Sequence, residues 1–243
     1  YFKPAHGLND EVLTLYARNR LTVTRQVPCH PGKHDTVDLL FALNGLPMAT
    51  CELKNPGTGQ NWRHAIKQYQ EGRDPRAPLF AFKKRALVHF AADPDEVHMT
   101  TRLEGKATTF LPFNKGHEGE AGNPPTYGFS SEYLWKEILH KDSILELIQL
   151  FIQMTDELDE DGKPTGKKII IFPRYHQLDV VRKITAHARE HGPGNRYLIE
   201  HSAGSGKSNS IAWLAYRLSS LYSKADKKVF DSVIVITDRT VLD

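Results

Sequence analysis

The sequence is poor in cysteine, in long apolar runs and in net charge. Its 243 residues include only two cysteines, Cys29 and Cys51, which are too few for a disulfide framework or a four-cysteine zinc site. No apolar run approaches the roughly 18 residues that a transmembrane helix needs, and the opening Tyr1-Phe2-Lys3-Pro4 does not have the character of a signal peptide. We therefore expect a cytoplasmic protein with reduced thiols and no membrane segment.

The net charge is small, and its local distribution carries more information. The formal charge is +3 at pH 7, which is too small to indicate a nucleic-acid partner by itself. Residues 61–90 are nevertheless basic, with Glu71 and Asp74 set against a larger group of cationic side chains: Arg63, Lys67, Arg73, Arg76, Lys83, Lys84 and Arg85. Such a segment either contacts DNA phosphates or forms an ordinary solvated face, and we favour DNA contact.

The first part of the chain has the pattern of an α+β domain. Apolar runs at 37–42 and 47–53 flank Asn44-Gly45, a pair that favours a tight β-hairpin turn because it tolerates positive φ angles. Apolar spacing and turn residues predict further helices near 9–16, 62–69 and 144–151, and further strands at 85–91, 97–103 and 107–113. We expect this domain to occupy residues 1–155.

A change in composition marks a predicted domain boundary. An acidic block at 156–161 runs into Gly-Lys-Pro-Thr-Gly, which indicates a flexible linker over residues 156–167. Beyond it the predicted order is helix, strand, glycine-rich turn, helix and strand, at 174–190, 197–200, 201–206, 207–222 and 232–237. This alternation is typical of the start of a parallel βαβ fold, so we expect a second, partial domain over 168–243.

The glycine-rich turn has the residue types of a phosphate-binding loop. Residues 201–208 read His-Ser-Ala-Gly-Ser-Gly-Lys-Ser between a predicted strand and a predicted helix. The glycines would let backbone N–H groups approach phosphates, Lys207 would reach the β and γ oxygens, and Ser208 would offer a hydroxyl to Mg²⁺. His201 replaces the first glycine of the simple pattern, and the alternative is a flexible turn without a ligand. The candidate nucleotide-binding residues are Gly204, Ser205, Gly206, Lys207 and Ser208.

Two carboxylates and an amine occupy the predicted hairpin. Glu52 and Lys54 are two residues apart and therefore share one face of their strand. A regular two-residue Asn44-Gly45 turn would place Asp38 opposite Cys51, whereas a three-residue loop or a bulge restores the shared face. Such a trio can hold Mg²⁺, position a water and stabilise phosphoryl charge, which is the chemistry of phosphodiester hydrolysis. Taken alone, the pattern also fits a hairpin with charged edges.

Together these features resemble one family, the R (restriction and motor) subunit of type I restriction-modification enzymes. Asp38 with Glu52-Leu53-Lys54 resembles the family's PD-(D/E)xK nuclease motif, which implies catalytic roles for Asp38, Glu52 and Lys54, and metal binding by the two carboxylates. Tyr69 matches the tyrosine of the following motif and is carried over as a catalytic residue. Ala65 stands where the family often has a glutamine, and Gln68 lies next to Tyr69 instead.

The second part of the chain resembles superfamily 2 helicase-like motors. Arg174-Tyr175-His176-Gln177 is similar to their adenine-recognising element, which implies nucleotide contacts for Arg174 and Gln177. The glycine-rich turn is similar to their motif I, which implies ATP binding. Residues 233–239 resemble the motif that follows, and no Asp-Glu-x-x box comes after it in the sequence. Asp238 has no second acidic neighbour and is interpreted as non-catalytic.

The resemblance implies an α/β protein in which a PD-(D/E)xK nuclease-like α+β domain precedes the incomplete start of a RecA-like parallel α/β domain. For the parent enzyme it implies Mg²⁺-dependent cleavage of double-stranded DNA, ATP-driven DNA translocation, and docking on methyltransferase and specificity subunits. The fragment itself is not expected to hydrolyse ATP, because hydrolysis needs a metal-holding carboxylate and a second lobe. Two other classes stay open: a P-loop ATPase or phosphotransferase without nuclease activity, and a non-catalytic nucleotide-binding adaptor in which Asp38 and Glu52 lie too far apart for one metal.

Overall fold

The structure is a computed structural model that describes residues 1–4, 9–30, 32, 34–159, 161–202 and 204–236. These residues form two compact units. One contains the described part of 19–174, and the other combines the described parts of 1–18 and 175–243. Among the described residues, no helix is both long and apolar enough to cross a membrane.

The larger unit is built on a six-stranded sheet whose strands follow one another in chain order. The strands are β1 Leu21–Pro28, β2 Thr36–Leu43, β3 Leu46–Leu53, β4 Val88–Ala92, β5 Val97–Thr100 and β6 Leu111–Pro112. All neighbours are antiparallel except β3 and β4, which are parallel. A parallel pair needs a crossover connection, and this one contains helix α2, Trp62–Gly72. The predicted strand at 107–113 is much shorter than expected, since only β6 forms there.

The hairpin of β2 and β3 forms as predicted and contains a bulge. Asn44 and Gly45 both have positive φ angles, 52° and 82°, and make a two-residue turn that pairs Leu43 with Leu46. The register then shifts, because Ala42 pairs with Pro47 while Phe41 pairs with Ala49. Met48 is therefore an extra residue of β3. Asp38 and Glu52 can share a face only if the hairpin contains a bulge or a longer loop, and the predicted bulge is confirmed.

Helix α2 packs on the sheet through a small apolar face. Ala65 and Tyr69, one turn apart, are fully buried and contact a cluster that includes Val37, Leu79, Phe80, Ala91 and Leu103. The helix begins with a capping box, in which Asn61 accepts a hydrogen bond from the backbone of the first turn and His64 accepts one from Asn61 N–H. The remaining helical pieces of this unit are a 3₁₀ turn at Pro56–Thr58, a π-helical turn at Leu134–Ile138 and α3, Lys141–Leu150.

Residues 156–167 do not form the predicted linker. Most of it belongs to an antiparallel hairpin of β7, Gln153–Leu158, and β8, Pro164–Ile171. The acidic block favours this pairing because Asp156 lies opposite Lys168 and the two side chains form an ion pair of 2.8 Å. The two compact units divide between residues 174 and 175 instead, so the hairpin is part of the larger unit.

Over its described residues, the smaller unit contains three helices: α1 Asp10–Ala17, α4 Tyr175–His191 and α5 Lys207–Ser219. Helices α4 and α5 lie where the sequence predicts them. The predicted strands do not form over the described residues, since 197–200 and 232–236 have no strand pairing, and Leu198 and Ile234 are 86% and 82% exposed. A strand exists only through hydrogen bonds to a neighbour, so the parallel RecA-like start stays a prediction. Asp238 and the rest of 237–243 lie outside the described residues.

Candidate functional site

The hairpin and α2 bring the first group of candidate residues together. The bulge sets Leu39 opposite Cys51, and continuing this register by one step sets Asp38 opposite Glu52. Direct contacts agree with the register, because Asp38 Oδ2 accepts a hydrogen bond of 2.8 Å from the N–H of Leu53. Asp38 Oδ1 accepts another, of 2.9 Å, from the Gln26 side chain on β1. Asp38 is thus held on the carboxylate face that the sequence analysis required.

Glu52 is a fully buried carboxylate with one oxygen engaged. Its side chain has no solvent exposure, and Oε1 pairs with the Arg73 guanidinium at 2.7 Å. Oε2 is buried and has no hydrogen-bond partner. Burial raises the pKa of Glu52 from its ordinary value of 4.5 to about 7, with the Arg73 charge acting against the rise and the Asp38 carboxylate adding to it. The site therefore holds a carboxylate that lacks sufficient compensating positive charge.

Lys54 lies on the same strand face as Glu52 and points to helix α2. Its ammonium group donates a short hydrogen bond to the Oε1 atom of Gln68, one residue before Tyr69. Alternation along an extended strand gives Glu52 and Lys54 a common face, and the crossover helix covers that face. Lys54 is thereby oriented by a side chain of α2.

Tyr69 has a structural partner. Its hydroxyl lies 2.8 Å from Thr50 Oγ1, and Thr50 is in turn 2.7 Å from His89 Nδ1. Tyr69 is fully buried, and burial raises the pKa of its hydroxyl well above the ordinary range. The hydroxyl of Tyr69 therefore contacts β3 at Thr50, two residues before Glu52. This contact holds α2 against the strand. The catalytic role carried over for Tyr69 stays a prediction.

The carboxylate pair fits a small oxygen-seeking cation. Mg²⁺ is usually bound by one or two carboxylates and keeps several waters, so it does not need a complete protein cage. Asp38 and the unpartnered Oε2 of Glu52 would supply such ligands, and a cation between them would offset the mutual repulsion of the two carboxylates and the cost of burying a charged Glu52. Within the part of the chain that the structure describes, no group of three or more His, Cys, Asp or Glu side chains could hold a metal. The pair would therefore supply two protein ligands to such a cation.

Sequence reasoning missed two side chains of this site. Arg73 was counted with the DNA-contacting cations, but only 5% of its side chain is exposed and it binds Glu52, so that assignment is wrong for Arg73. The other six basic residues of the segment are exposed: Arg63, Lys67, Arg76, Lys83, Lys84 and Arg85. Gln68 was left without a role beside Tyr69. One signal existed, since Gln68 and Tyr69 follow Ala65 by about one helical turn and belong to a face near the sheet.

The glycine-rich turn precedes α5 as predicted and makes close contacts with α4. Gly206 takes a left-handed conformation, φ 78°, directly before the helix, which has no side-chain cap. The Gln177 amide donates hydrogen bonds of 3.1 and 2.8 Å to the carbonyl oxygens of Ser205 and Gly206. A Cβ atom on Gly206 would lie 2.4 Å from Gln177 Nε2. Glycine is therefore favoured here by the left-handed backbone, and a larger residue would also displace the end of the Gln177 side chain.

The remaining candidate nucleotide-binding residues have mixed positions. Lys207 donates hydrogen bonds of 2.8 and 3.1 Å from Nζ to the carbonyl oxygens of His201 and Ser202, so its ammonium lies within the turn. Gly204 and Ser208 are exposed, whereas Ser205 is buried. An uncapped helix start whose first residue is a lysine has the chemistry to bind an anion. Arg174 is assigned to the larger unit and Gln177 to the smaller one.

Comparisons with known proteins find similarity to R proteins of type I restriction enzymes. The family model for the N terminus of the type I restriction enzyme R protein matches residues 13–108, a range that contains the carboxylate pair and α2. The match, together with the relatives described next, confirms the resemblance to type I restriction R subunits that the motifs predicted.

Two curated relatives are similar to nearly the whole chain. The type I restriction enzyme HindI endonuclease subunit of Haemophilus influenzae is 25% identical over 232 residues, which cover 94% of this chain and 21% of that protein. A protein of Methanocaldococcus jannaschii named as the type I restriction enzyme MjaVIIIP endonuclease subunit is 25% identical over 215 residues, covering 85% and 19%. The chain thus spans about a fifth of the length of the curated relatives it matches.

Proposed function

We propose that this chain carries the nuclease centre of a type I restriction enzyme R subunit and cleaves double-stranded DNA in an Mg²⁺-dependent reaction. The observation that carries the proposal is the placement of Asp38 beside Glu52, whose Oε2 is buried without a partner. The adaptor alternative required these carboxylates to be far apart, and their register argues against it. The ATPase alternative gives the pair no role.

Each residue of the site has a distinct task in the proposed hydrolysis. Asp38 and Glu52 would hold the cation, which when bound supplies Lewis acidity and a more acidic water. Lys54 places a positive charge at the phosphoryl oxygens as negative charge develops there, and Gln68 orients that ammonium. Water oxygen forms a bond to phosphorus, the bond from phosphorus to the leaving sugar oxygen breaks, and the leaving oxygen takes up a proton.

DNA contact is proposed for the exposed cations of the basic segment. Arg63 and Lys67 lie on α2, the helix that also positions Lys54 through Gln68, and both side chains are exposed. Phosphate contacts of this kind position a duplex without reading its sequence. The proposal therefore leaves recognition of a specific sequence to another subunit.

For the glycine-rich turn we propose binding of an adenine nucleotide with Mg²⁺, without hydrolysis by this chain alone. Gly204 to Ser208 would surround the phosphates, Ser208 would contribute its hydroxyl to Mg²⁺, and Gln177 would contact the base. The base contact that the resemblance implies for Arg174 stays a prediction. The support is the left-handed Gly206 before an uncapped helix start and the ammonium of Lys207 inside the turn. For the parent enzyme we propose ATP-driven DNA translocation and docking on methyltransferase and specificity subunits.

A paired assay of the assembled restriction complex tests this division of labour. Lys54→Ala should abolish DNA cleavage and leave DNA-stimulated phosphate release intact, because Lys54 touches no nucleotide-binding group. Lys207→Ala should abolish phosphate release and, with it, cleavage that depends on translocation. Lys106→Ala, at an exposed lysine of the larger unit, should change neither product. Robust cleavage by Lys207→Ala would show that the nuclease is not controlled by the motor, and normal cleavage by Lys54→Ala would refute the nuclease assignment.

A further inference from the structure

Arg73 connects the two strands that carry the candidate metal ligands. It follows α2 directly, and its guanidinium is buried with 5% exposure. Nε and one terminal nitrogen both donate to Glu52 Oε1, at 2.8 and 2.7 Å. The same terminal nitrogen donates to the carbonyl oxygen of Thr36 at 2.7 Å. One buried cation therefore joins a carboxylate of β3 to the backbone of β2.

Thr36, which accepts a hydrogen bond from Arg73, lies close to Asp38 on the same strand. Thr36 and Asp38 are two residues apart on β2, so the segment that Arg73 holds is the one that presents Asp38. Arg73 contacts a single oxygen of Glu52, because both of its hydrogen bonds go to Oε1 while Oε2 has no partner. A fork that engaged both carboxylate oxygens would leave none for a cation. Here one oxygen stays available beside Asp38.

We propose that Arg73 is a positioning residue of the metal site: it holds Glu52 through Oε1 and β2 through Thr36, so that Oε2 and Asp38 face a single divalent cation. The inference rests on the proposed function, because it concerns the same site. Arg73 acts through Glu52 and touches neither substrate nor water in this role. Lysine cannot replace it fully, since a single ammonium lacks the planar fork that reaches both acceptors.

The test measures binding of Mn²⁺ alone to the full chain, without DNA, by the electron paramagnetic resonance signal of the free ion. Asp38→Asn should abolish binding at the site. Arg73→Lys should weaken it by roughly 10- to 100-fold, the usual effect of removing a partner that orients a metal ligand. Arg102→Lys is the matched control, because Arg102 also pairs with a glutamate, Glu104 at 3.1 Å, and should bind Mn²⁺ like the wild type.

Thermal unfolding of each variant separates positioning from a merely structural role. Arg73→Gln leaves Glu52 buried without its countercharge and is expected to be less stable, so Arg73→Lys, which keeps the charge, is the deciding variant. Affinity equal to that of the wild type in folded Arg73→Lys would overturn the inference. Tighter binding would also overturn it, by showing that Arg73 competes with the cation. If the wild type and Asp38→Asn do not differ in Mn²⁺ binding, the proposed metal site itself fails and the inference fails with it.

Discussion

Asp38 lies opposite Glu52 because Met48 is an extra residue in the strand that carries Glu52. Without a bulge, the tight turn at Asn44 and Gly45 would set Asp38 against Cys51 and turn the two carboxylates to opposite faces. The bulge instead puts two like charges side by side, one of them fully buried. This juxtaposition is electrostatically unfavourable when both groups are ionised, and it can be measured as a stability effect.

The raised pKa of Glu52 predicts a specific pH dependence of stability. The folded protein holds this proton up to about pH 7, whereas the unfolded chain releases it near 4.5. Between these values the folded state binds more protons, so the free energy of unfolding falls as pH rises through the window. The free energy of unfolding of the wild type, minus that of Glu52→Gln, should fall by about 3 kcal/mol at most across this pH window. Urea unfolding of both proteins from pH 4 to 8 measures this, and parallel curves would contradict the burial argument.

The contact between Lys54 and Gln68 predicts non-additive effects on cleavage. Lys54→Ala should lower the cleavage rate by about 100- to 1,000-fold, as loss of a charge-stabilising donor does. Gln68→Ala should lower it by roughly tenfold, because it frees the lysine to leave its position. The double variant should be no slower than Lys54→Ala, since Gln68 acts only through that lysine. Single-turnover cleavage in the assembled complex gives these rates.

The matched control for Gln68 is a second glutamine of the same helix. Gln70 donates to the carbonyl oxygen of Thr108, away from Lys54, so Gln70→Ala should cleave DNA at the wild-type rate. Fully additive losses in the Lys54 and Gln68 double variant would mean that Gln68 contributes by a separate route.

Removal of the Tyr69 hydroxyl should affect stability more than cleavage. Tyr69→Phe loses the buried hydrogen bond to Thr50, which retains His89 as a partner. The free energy of unfolding is expected to fall by about 1 kcal/mol, while the cleavage rate stays within a few-fold of the wild type. Denaturation and single-turnover cleavage are measured on the same preparation. A hundredfold slower cleavage at unchanged stability would assign Tyr69 the catalytic role that the family motif implies.

Two glycines of the glycine-rich turn should respond differently to alanine. Both have left-handed backbones, but a Cβ on Gly204 meets no atom within 4 Å, whereas one on Gly206 would lie 2.4 Å from Gln177 Nε2. Gly204→Ala should cost about 1 kcal/mol of conformational strain. Gly206→Ala should cost distinctly more and weaken binding of an ATP analogue, measured by calorimetry.

A third variant isolates the steric part of that difference. In Gln177→Ala the amide that a Gly206 side chain would strike is gone, so adding Gly206→Ala to it should cost no more than Gly204→Ala costs alone. The double-mutant cycle then reports a coupling between positions 177 and 206. Independent effects would show that backbone strain, and not the contact, makes glycine necessary.

The sequence predicts best where local chemistry decides the structure. Asn44-Gly45 predicts the hairpin, and apolar spacing predicts α2, α4 and α5, because turn conformation and helical faces depend on neighbouring residues. The shared carboxylate face was predicted only conditionally. A bulge at Met48 has no residue signature of its own, since it depends on how the two strands pair.

The missed features all depend on contacts between distant segments. In the sequence Arg73 looks like one more surface cation. Once α2 is packed on the sheet, its guanidinium donates to Glu52 and to backbone carbonyls. The acidic block around Asp156 has the composition of a linker. Its ion-pair partner, Lys168, lies on the next strand of the hairpin, so the pairing is visible only in the structure. The segments at 197–200 and 232–236 have strand-like residues, and composition cannot show whether a neighbouring strand is there to pair with them.

The parallel pairing of β3 with β4 around α2 places the two carboxylates, Lys54, Gln68 and Arg73 on one continuous stretch of chain, from Thr36 on β2 to the end of β4. Ribosomes add about 5–20 residues per second, and domains fold as they emerge. At that pace the last of these residues is made roughly 10 s before the glycine-rich turn at 201–208. The nascent chain therefore contains the residues of the proposed nuclease site before it contains the glycine-rich turn, so the folding of the carboxylate site does not have to wait for the synthesis of the second unit.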